Sequence, residues 1–110
     1  MDTFKALDSF SALSQETRLA VFRILVKAGT AGMAAGEIAA ALDVRQNTMS
    51  ANLAVLARSG LINSRREGRI IRYFANMEVV RELLAFMIED CCGGNPEKCQ
   101  PVIDEISLPC

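Results

Sequence analysis

Apolar residues in the first half of the chain recur at helical spacing. Phe4, Leu7, Phe10 and Leu13 fall on every third position and mark one face of a helix over about residues 3–12. Ser14 offers a hydroxyl to cap the next helix, and Glu16 in that helix's first turn suits its dipole. This second helix runs over about residues 15–27. Leu19, Val21, Phe22, Ile24, Leu25 and Val26 wrap so far round it that it is expected to be largely buried. The glycines at 29 and 32 end it. A short third helix over about residues 34–42 carries Ile38 and Leu42 one turn apart. Its start has no side-chain oxygen for a cap, so packing must hold that end. After the polar link 43–46, a fourth helix over about residues 47–58 sets Met49, Leu53 and Leu56 at i, i+4 and i+7, a single buried stripe.

The pattern changes after Gly60, which closes the fourth helix as a C′ glycine. Two short runs, about 61–66 and 69–74, flank Glu67-Gly68 and predict a hairpin whose glycine supplies the positive φ. Asn76 caps a last helix over about residues 77–90, with an apolar face of Met77, Val80, Leu84, Met87 and Ile88. Gly93-Gly94 stops it, and residues 100–110, with two prolines, are expected to be extended or mobile. The predicted fold is mainly α with a two-stranded β-wing, in the order ααααββα. Residues 1–92 form the folded domain and residues 93–110 a flexible tail. The apolar faces of the first and last helices need a covering surface. Either they cover their own core, or they pack on the same pair from a second chain in a two-fold homodimer.

At 110 residues the chain has the length of one domain, and 51% apolar content is ample for its core. No apolar run approaches the ~20 residues of a membrane span. The start, Met1-Asp2-Thr3-Phe4-Lys5, lacks a basic segment followed by an apolar one, so no signal peptide and a cytoplasmic location are expected.

Charge adds what periodicity does not show. The net charge is only −1, yet Arg58, Arg65, Arg66, Arg69 and Arg72 face a single acid, Glu67, within residues 58–72. Residues 89–110 carry five acids against Lys98. A basic stripe on a near-neutral protein fits a specific DNA reader, although a solvated hairpin would need no partner. The polar face of the fourth helix sharpens the choice. Gln46, Asn47, Thr48, Ser50, Ala51 and Asn52 present short hydrogen-bonding groups and no acid, where ordinary surface helices are richer in Lys and Glu. Amides and hydroxyls of this kind reach base edges in the major groove, and alanine permits close approach. The third and fourth helices therefore predict a helix-turn-helix. Arg65, Arg66 and Arg69 on the hairpin form a wing for phosphate or the minor groove of double-stranded operator DNA.

The cysteines carry the remaining chemistry. None occurs in the first 90 positions; then Cys91, Cys92 and Cys99 fall within nine residues, and Cys110 ends the chain. Soft thiolates select soft acceptors, and three converging sulfurs suit a three-coordinate ion such as As(III), Sb(III) or Pb(II). The chain has no histidine, so tetrahedral zinc would need Cys110 or a carboxylate as fourth ligand. The plainer alternative is a disordered or disulfide-bonded tail. A reducing compartment favours metal or redox chemistry over a structural disulfide. A thiol enzyme would need a cation beside its nucleophile and an anion-binding loop, and the acidic tail offers neither. No enzyme activity and no organic cofactor are expected.

This order of elements resembles the arsenic-repressor (ArsR/SmtB) family of bacterial winged-helix metalloregulators. The resemblance spans residues 4–92. It rests on Leu13-Ser14-Gln15-Glu16-Thr17-Arg18-Leu19, Gly36-Glu37-Ile38-Ala39, Gln46-Asn47-Thr48-Met49-Ser50 with Leu53 and Leu56, and Ser59-Gly60-Leu61-Ile62 leading into Arg65-Arg66-Glu67-Gly68-Arg69 and Tyr73. It implies a homodimeric repressor joined through its first and last helices. The founding members' Cys-Val-Cys arsenite site is absent, since Gly36-Glu37-Ile38-Ala39-Ala40-Ala41-Leu42 holds no thiol. A histidine-free chain also cannot build the family's last-helix zinc site. What remains is similar to the branch in which a Cys-Cys pair ending the last helix and one later cysteine bind As(III). That implies Cys91, Cys92 and Cys99 as ligands, with Cys110 lacking a counterpart. As(III), with Sb(III) as a related ion, is then the expected inducer. A redox switch using a Cys92–Cys99 disulfide, or a sensor of Pb(II) or Cd(II), stands as the alternative on the same fold.

Overall fold

The computed structural model describes residues 1–88 and 96–106. Within them the order is α1 (Thr3–Leu13), α2 (Glu16–Ala28), β1 (Met33–Ala34), α3 (Ala35–Leu42), α4 (Gln46–Arg58), β2 (Ile62–Glu67), β3 (Ile70–Ala75), α5 (Met77–Met87) and α6 (Pro96–Ile106). The core gathers Val21, Phe22 and Leu25 of α2, Ile38 and Ala39 of α3, and Met49, Leu53 and Leu56 of α4 with Leu61 and Ile62. The stripe expected on the fourth helix is thus the one that is buried. On α2, by contrast, Leu19 and Val26 stay 45% and 41% exposed, so that helix is covered on fewer sides than its composition led us to expect.

The caps differ in detail from expectation. Gln15, not Ser14, caps α2, its side chain accepting from the Arg18 N–H at 2.9 Å. The Ser14 hydroxyl turns back and donates to the Ser11 carbonyl at the end of α1. The bare start of α3 is tied by Glu37, whose carboxylate accepts the Ala34 N–H at 2.8 Å. Asp43 takes a left-handed φ of 52° after α3, with the Val44 N–H donating to the Ala39 carbonyl at 3.0 Å. Gly60 at φ 84° does the same after α4, where the Leu61 N–H reaches the Leu56 carbonyl at 3.1 Å. These two closures fix the angles at which α4 enters and leaves. Asn76 stands at the N-cap position of α5 but makes no cap bond; its Nδ2 donates to the Gly60 carbonyl at 2.9 Å, anchoring α5 to the end of α4.

The sheet is antiparallel in the order β1-β3-β2. Strand β1 has two residues, below the reach of any periodicity. It exists because Gly32, at φ 61°, lets the chain lie against β3. A Cβ there would stand 2.5 Å from the Tyr73 carbonyl and 2.6 Å from the Phe74 ring. At the tip, Gly68 at φ 65° precedes Arg69 in a two-residue turn of the type that wants glycine first.

Two helices turn their large apolar residues away from the core. On α1 the buried residues are the small ones, Ala6, Ser9 and Ala12, while Phe4, Leu7 and Phe10 are 83%, 58% and 39% exposed. Small inward side chains let α1 pack closely, and the bulky stripe is left to face outward. On α5 only Leu83 is buried, and Met77 and Met87 are half exposed. The tail also departs from expectation, because residues 96–106 are helical rather than extended. Pro96 suits the first position of a helix, and the Gln100 side chain donates to Asp104 one turn on at 2.8 Å. Pro101 sits inside this helix and contributes no N–H to its ladder.

Candidate nucleic-acid interface and cysteine cluster

Helix α4 presents Arg45 at its N-cap and then Gln46, Asn47, Thr48, Ser50 and Ala51, all exposed. They share a face because Met49, Leu53 and Leu56 commit the opposite one to the core. Arg45 makes no side-chain cap bond, so the Gln46 and Asn47 amides remain for a phosphate oxygen. The Asn47 carbonyl Oδ1 accepts the Thr48 N–H at 2.9 Å, which steadies that turn. Asn52, expected on the same open face, is instead buried. Its Oδ1 accepts from Nη1 of Arg18 at 3.3 Å, so it holds the helix from behind. Arg45 has no periodic signal and joins this face only through its place immediately before the helix.

The wing divides its arginines into two groups. Register pairs Arg65 with Arg72 and Arg66 with Ile71 across β2 and β3, so Arg65 and Arg72 share one side. Glu67 binds both of them, accepting Arg65 Nη2 at 2.7 Å and Arg72 Nε at 2.9 Å. The Arg65 guanidinium also lies 4.9 Å above the Phe74 ring, and Arg72 donates to the Ala31 carbonyl at 3.4 Å. Hydrogen bonds from Arg72 and then Arg65 hold the Glu67 carboxyl below the usual carboxylate range, and Glu67 pushes Arg72 up in return. Arg65, expected to project toward a ligand, is therefore engaged within the hairpin. Arg66 and Arg69 are exposed and form no ion pair among the described residues. They flank the tip together with the exposed Ile70 and Ile71.

Cys99 is buried on α6 and is disulfide-bonded. Cys91, Cys92 and Cys110 lie outside the described residues, so the three-sulfur site expected at Cys91, Cys92 and Cys99 is represented only by Cys99. A sulfur in a disulfide has no thiolate to donate, so soft-ion binding at Cys99 requires the reduced state. Among the described residues no group of three or more His, Cys, Asp or Glu side chains could hold a metal ion.

An exposed polar face on the second helix of a helix-turn-helix, beside a wing with two uncommitted arginines, defines a winged helix-turn-helix protein. Comparison with known proteins agrees. Residues 13–65 match the family described as helix-turn-helix domain. The chain is 28% identical over 91 residues to the transcriptional activator HlyU of Vibrio cholerae serotype O1, covering 83% of this chain and 82% of the relative. The solved structure of reduced HlyU from Vibrio cholerae superposes with a TM-score of 0.63 over 79% of this chain and 90% of that one. An ArsR-like transcriptional regulator from Rhodococcus sp. RHA1, 29% identical, gives 0.68 over 94% of this chain and 92% of that one. A homodimeric winged helix-turn-helix DNA-binding domain from Mycobacterium bovis, 28% identical, gives 0.64 over 76% of both chains. The chain thus shares the winged helix-turn-helix fold of these ArsR-like structures. These relatives are transcriptional regulators by name, the class of protein the sequence led us to expect. Among the described residues no helix is long and apolar enough to cross a membrane.

Proposed function

We propose that the chain is a homodimeric transcriptional repressor, released from its operator when As(III) binds Cys91, Cys92 and Cys99. The observation that carries the DNA-binding part is the open, acid-free face of α4 set beside the unpaired Arg66 and Arg69 of the wing. Gln46 and Asn47 have the donor and acceptor pair that adenine matches, Ser50 and Thr48 the smaller hydroxyls, and Ala51 the room for approach. The outward stripes of α1 and α5 support the dimer, as does the homodimeric state of the Mycobacterium bovis relative. A two-fold pair would set two α4 helices in successive major grooves, about 34 Å apart.

The inducer reading rests on the donor set. Arsenite is neutral at physiological pH, and exchange of three hydroxides for three thiols releases water without a change of charge. Such exchange suits an acidic tail better than capture of a dication, which must displace protons. Cys99 lies on α6, beyond α5, so drawing it toward Cys91 and Cys92 would load the end of a helix whose outer face belongs to the dimer. Sb(III) has the same donor preference, whereas Pb(II) and Cd(II) would add charge.

A second reading is favoured by the disulfide at Cys99. Oxidation, rather than As(III), would then be the signal. Both are tested on one duplex, selected from a random library by the reduced protein. Arsenite should weaken its binding within the roughly 5- to 150-fold range of ordinary allosteric coupling. Cys91→Ser, Cys92→Ser or Cys99→Ser should abolish that response and spare apo binding, and Cys110→Ser should respond normally. If arsenite leaves affinity unchanged but mild peroxide weakens binding and dithiothreitol restores it, the redox reading replaces the arsenite one. HlyU is named an activator, so the sign of regulation needs its own check, by reporter transcription with and without the protein.

A further inference from the structure

The residue expected to read bases but found buried, Asn52, points to a coupling element. Arg18 of α2 donates from Nε to the Ala12 carbonyl, in the last turn of α1, at 2.6 Å. From Nη1 it donates to Asn52 Oδ1, in the second turn of α4, at 3.3 Å. Ala12 O is one of the end carbonyls that a helix cannot satisfy internally, and a cation there complements the dipole. The Nη1 bond gives the side chain of Asn52 its partner, and no buried side-chain N or O among the described residues lacks one. One planar guanidinium therefore joins the helix that turns Phe4, Leu7 and Phe10 outward to the helix that turns Gln46, Asn47 and Ser50 outward.

We infer that Arg18 is a positioning residue for DNA recognition, setting the orientation of α4 against α1 through Asn52. The inference rests on the proposed DNA-binding role. A half-buried guanidinium with two donors at fixed spacing is stiff, so Ala12 O and Asn52 Oδ1 move together or one bond breaks. Lysine cannot reproduce this link, because an ammonium on a flexible stem lacks the rigid fork. Asn52 lies between Ala51, which is exposed, and Leu53, which is buried. A rotation of α4 that releases Asn52 would redirect the whole reading face while leaving the wing charges in place. Two contributions are then separate: base reading by α4 depends on Arg18, and phosphate attraction by Arg66 and Arg69 of the wing does not.

The test compares wild type with Arg18→Lys, Arg18→Gln, Asn52→Asp and Asn52→Leu. The probes are the duplex selected by the wild-type protein and a scrambled duplex of the same composition. All measurements are made well below each variant's melting temperature, with circular dichroism confirming native helix content. Arg18→Lys, Arg18→Gln and Asn52→Leu should each lose about tenfold in affinity for the selected duplex and stay within about twofold on the scrambled one. The Arg18→Gln/Asn52→Leu pair should be no worse than either single change, and Asn52→Asp, which keeps an acceptor, should recover most of the loss. Equal losses on both duplexes, additive losses in the pair, or wild-type affinity in all variants would each overturn the inference while leaving DNA binding intact. A wild-type protein that selects no duplex would overturn both. If Arg18→Gln fails to fold, Arg18→Lys and Asn52→Leu carry the same comparison.

Discussion

Glu67 shows how one residue can reverse the meaning of several neighbours. By count, the stripe from Arg58 to Arg72 has five arginines for an anion to meet. In the folded hairpin Glu67 occupies two of them, and the charge left outward comes from Arg58 at the end of α4 and from Arg66 and Arg69 near the tip. Because the Glu67 carboxyl is held below its ordinary value by Arg72 and then Arg65, its contribution is fully present above the ordinary glutamate pKa of about 4.3. It is lost as pH falls further, through the depressed value. We predict that the Nε chemical shifts of Arg65 and Arg72 move together through one transition as pH falls through that depressed value. In Glu67→Gln that transition should be absent. A wild-type protein without the transition would show that Glu67 does not bridge these arginines in solution. Gly32 makes a related point, since its φ of 61° and the 2.5 Å approach of a notional Cβ to Tyr73 O explain a glycine whose sequence context suggested only the end of a helix.

At the scale of elements, the wing holds Arg65 and Arg72 on Glu67 and leaves Arg66 and Arg69 open near its tip. Replacing Arg66 or Arg69 by glutamine should weaken binding to all duplexes alike. Each change should reduce the slope of log affinity against log salt by about 1, the value for one phosphate contact. Arg65→Gln, which removes an arginine already bound to Glu67, should leave that slope unchanged. Titration of a labelled duplex between low and moderate salt checks all three, and a loss of slope in Arg65→Gln would mean that Arg65 turns outward on DNA. Much of this architecture was legible in the sequence because the signals were local. Met49, Leu53 and Leu56 give a helical period, Gly68 gives a turn, and Gly60 gives a stop. What escaped was not local. Two-residue β1 depends on the approach of β3, Asn52 looks like its exposed neighbours until Arg18 is placed behind it, and Pro101 conceals a helix that Pro96 and Gln100 support. Periodicity also identified the stripe of α1 without saying which way it faces.

The direction of that stripe decides the assembly. A monomer that leaves Phe4 83% and Leu7 58% exposed on α1, with Met77 and Met87 open on α5, presents two apolar helix faces at once. A second copy can bring the same pair to meet them across a two-fold axis. Replacing Leu7 by glutamate discriminates between this arrangement and a merely solvated helix. In the single chain the new carboxylate would sit in water, and the core residues Ala6, Ser9 and Ala12 on the opposite face would be untouched. In a dimer interface it would be buried without a partner, at a cost of several kcal/mol. Sedimentation at micromolar concentration should therefore show a monomer for Leu7→Glu and a dimer for wild type, with the helical signal preserved. Thermal stability should fall and lose its dependence on protein concentration, because mass action no longer contributes. Affinity for a two-half-site duplex should drop by at least about a hundredfold, the usual scale of lost bivalency, while affinity for one half-site should hold. A Leu7→Glu protein that remains dimeric would place the interface elsewhere. A monomer with undiminished two-half-site binding would instead separate DNA recognition from the pairing of chains.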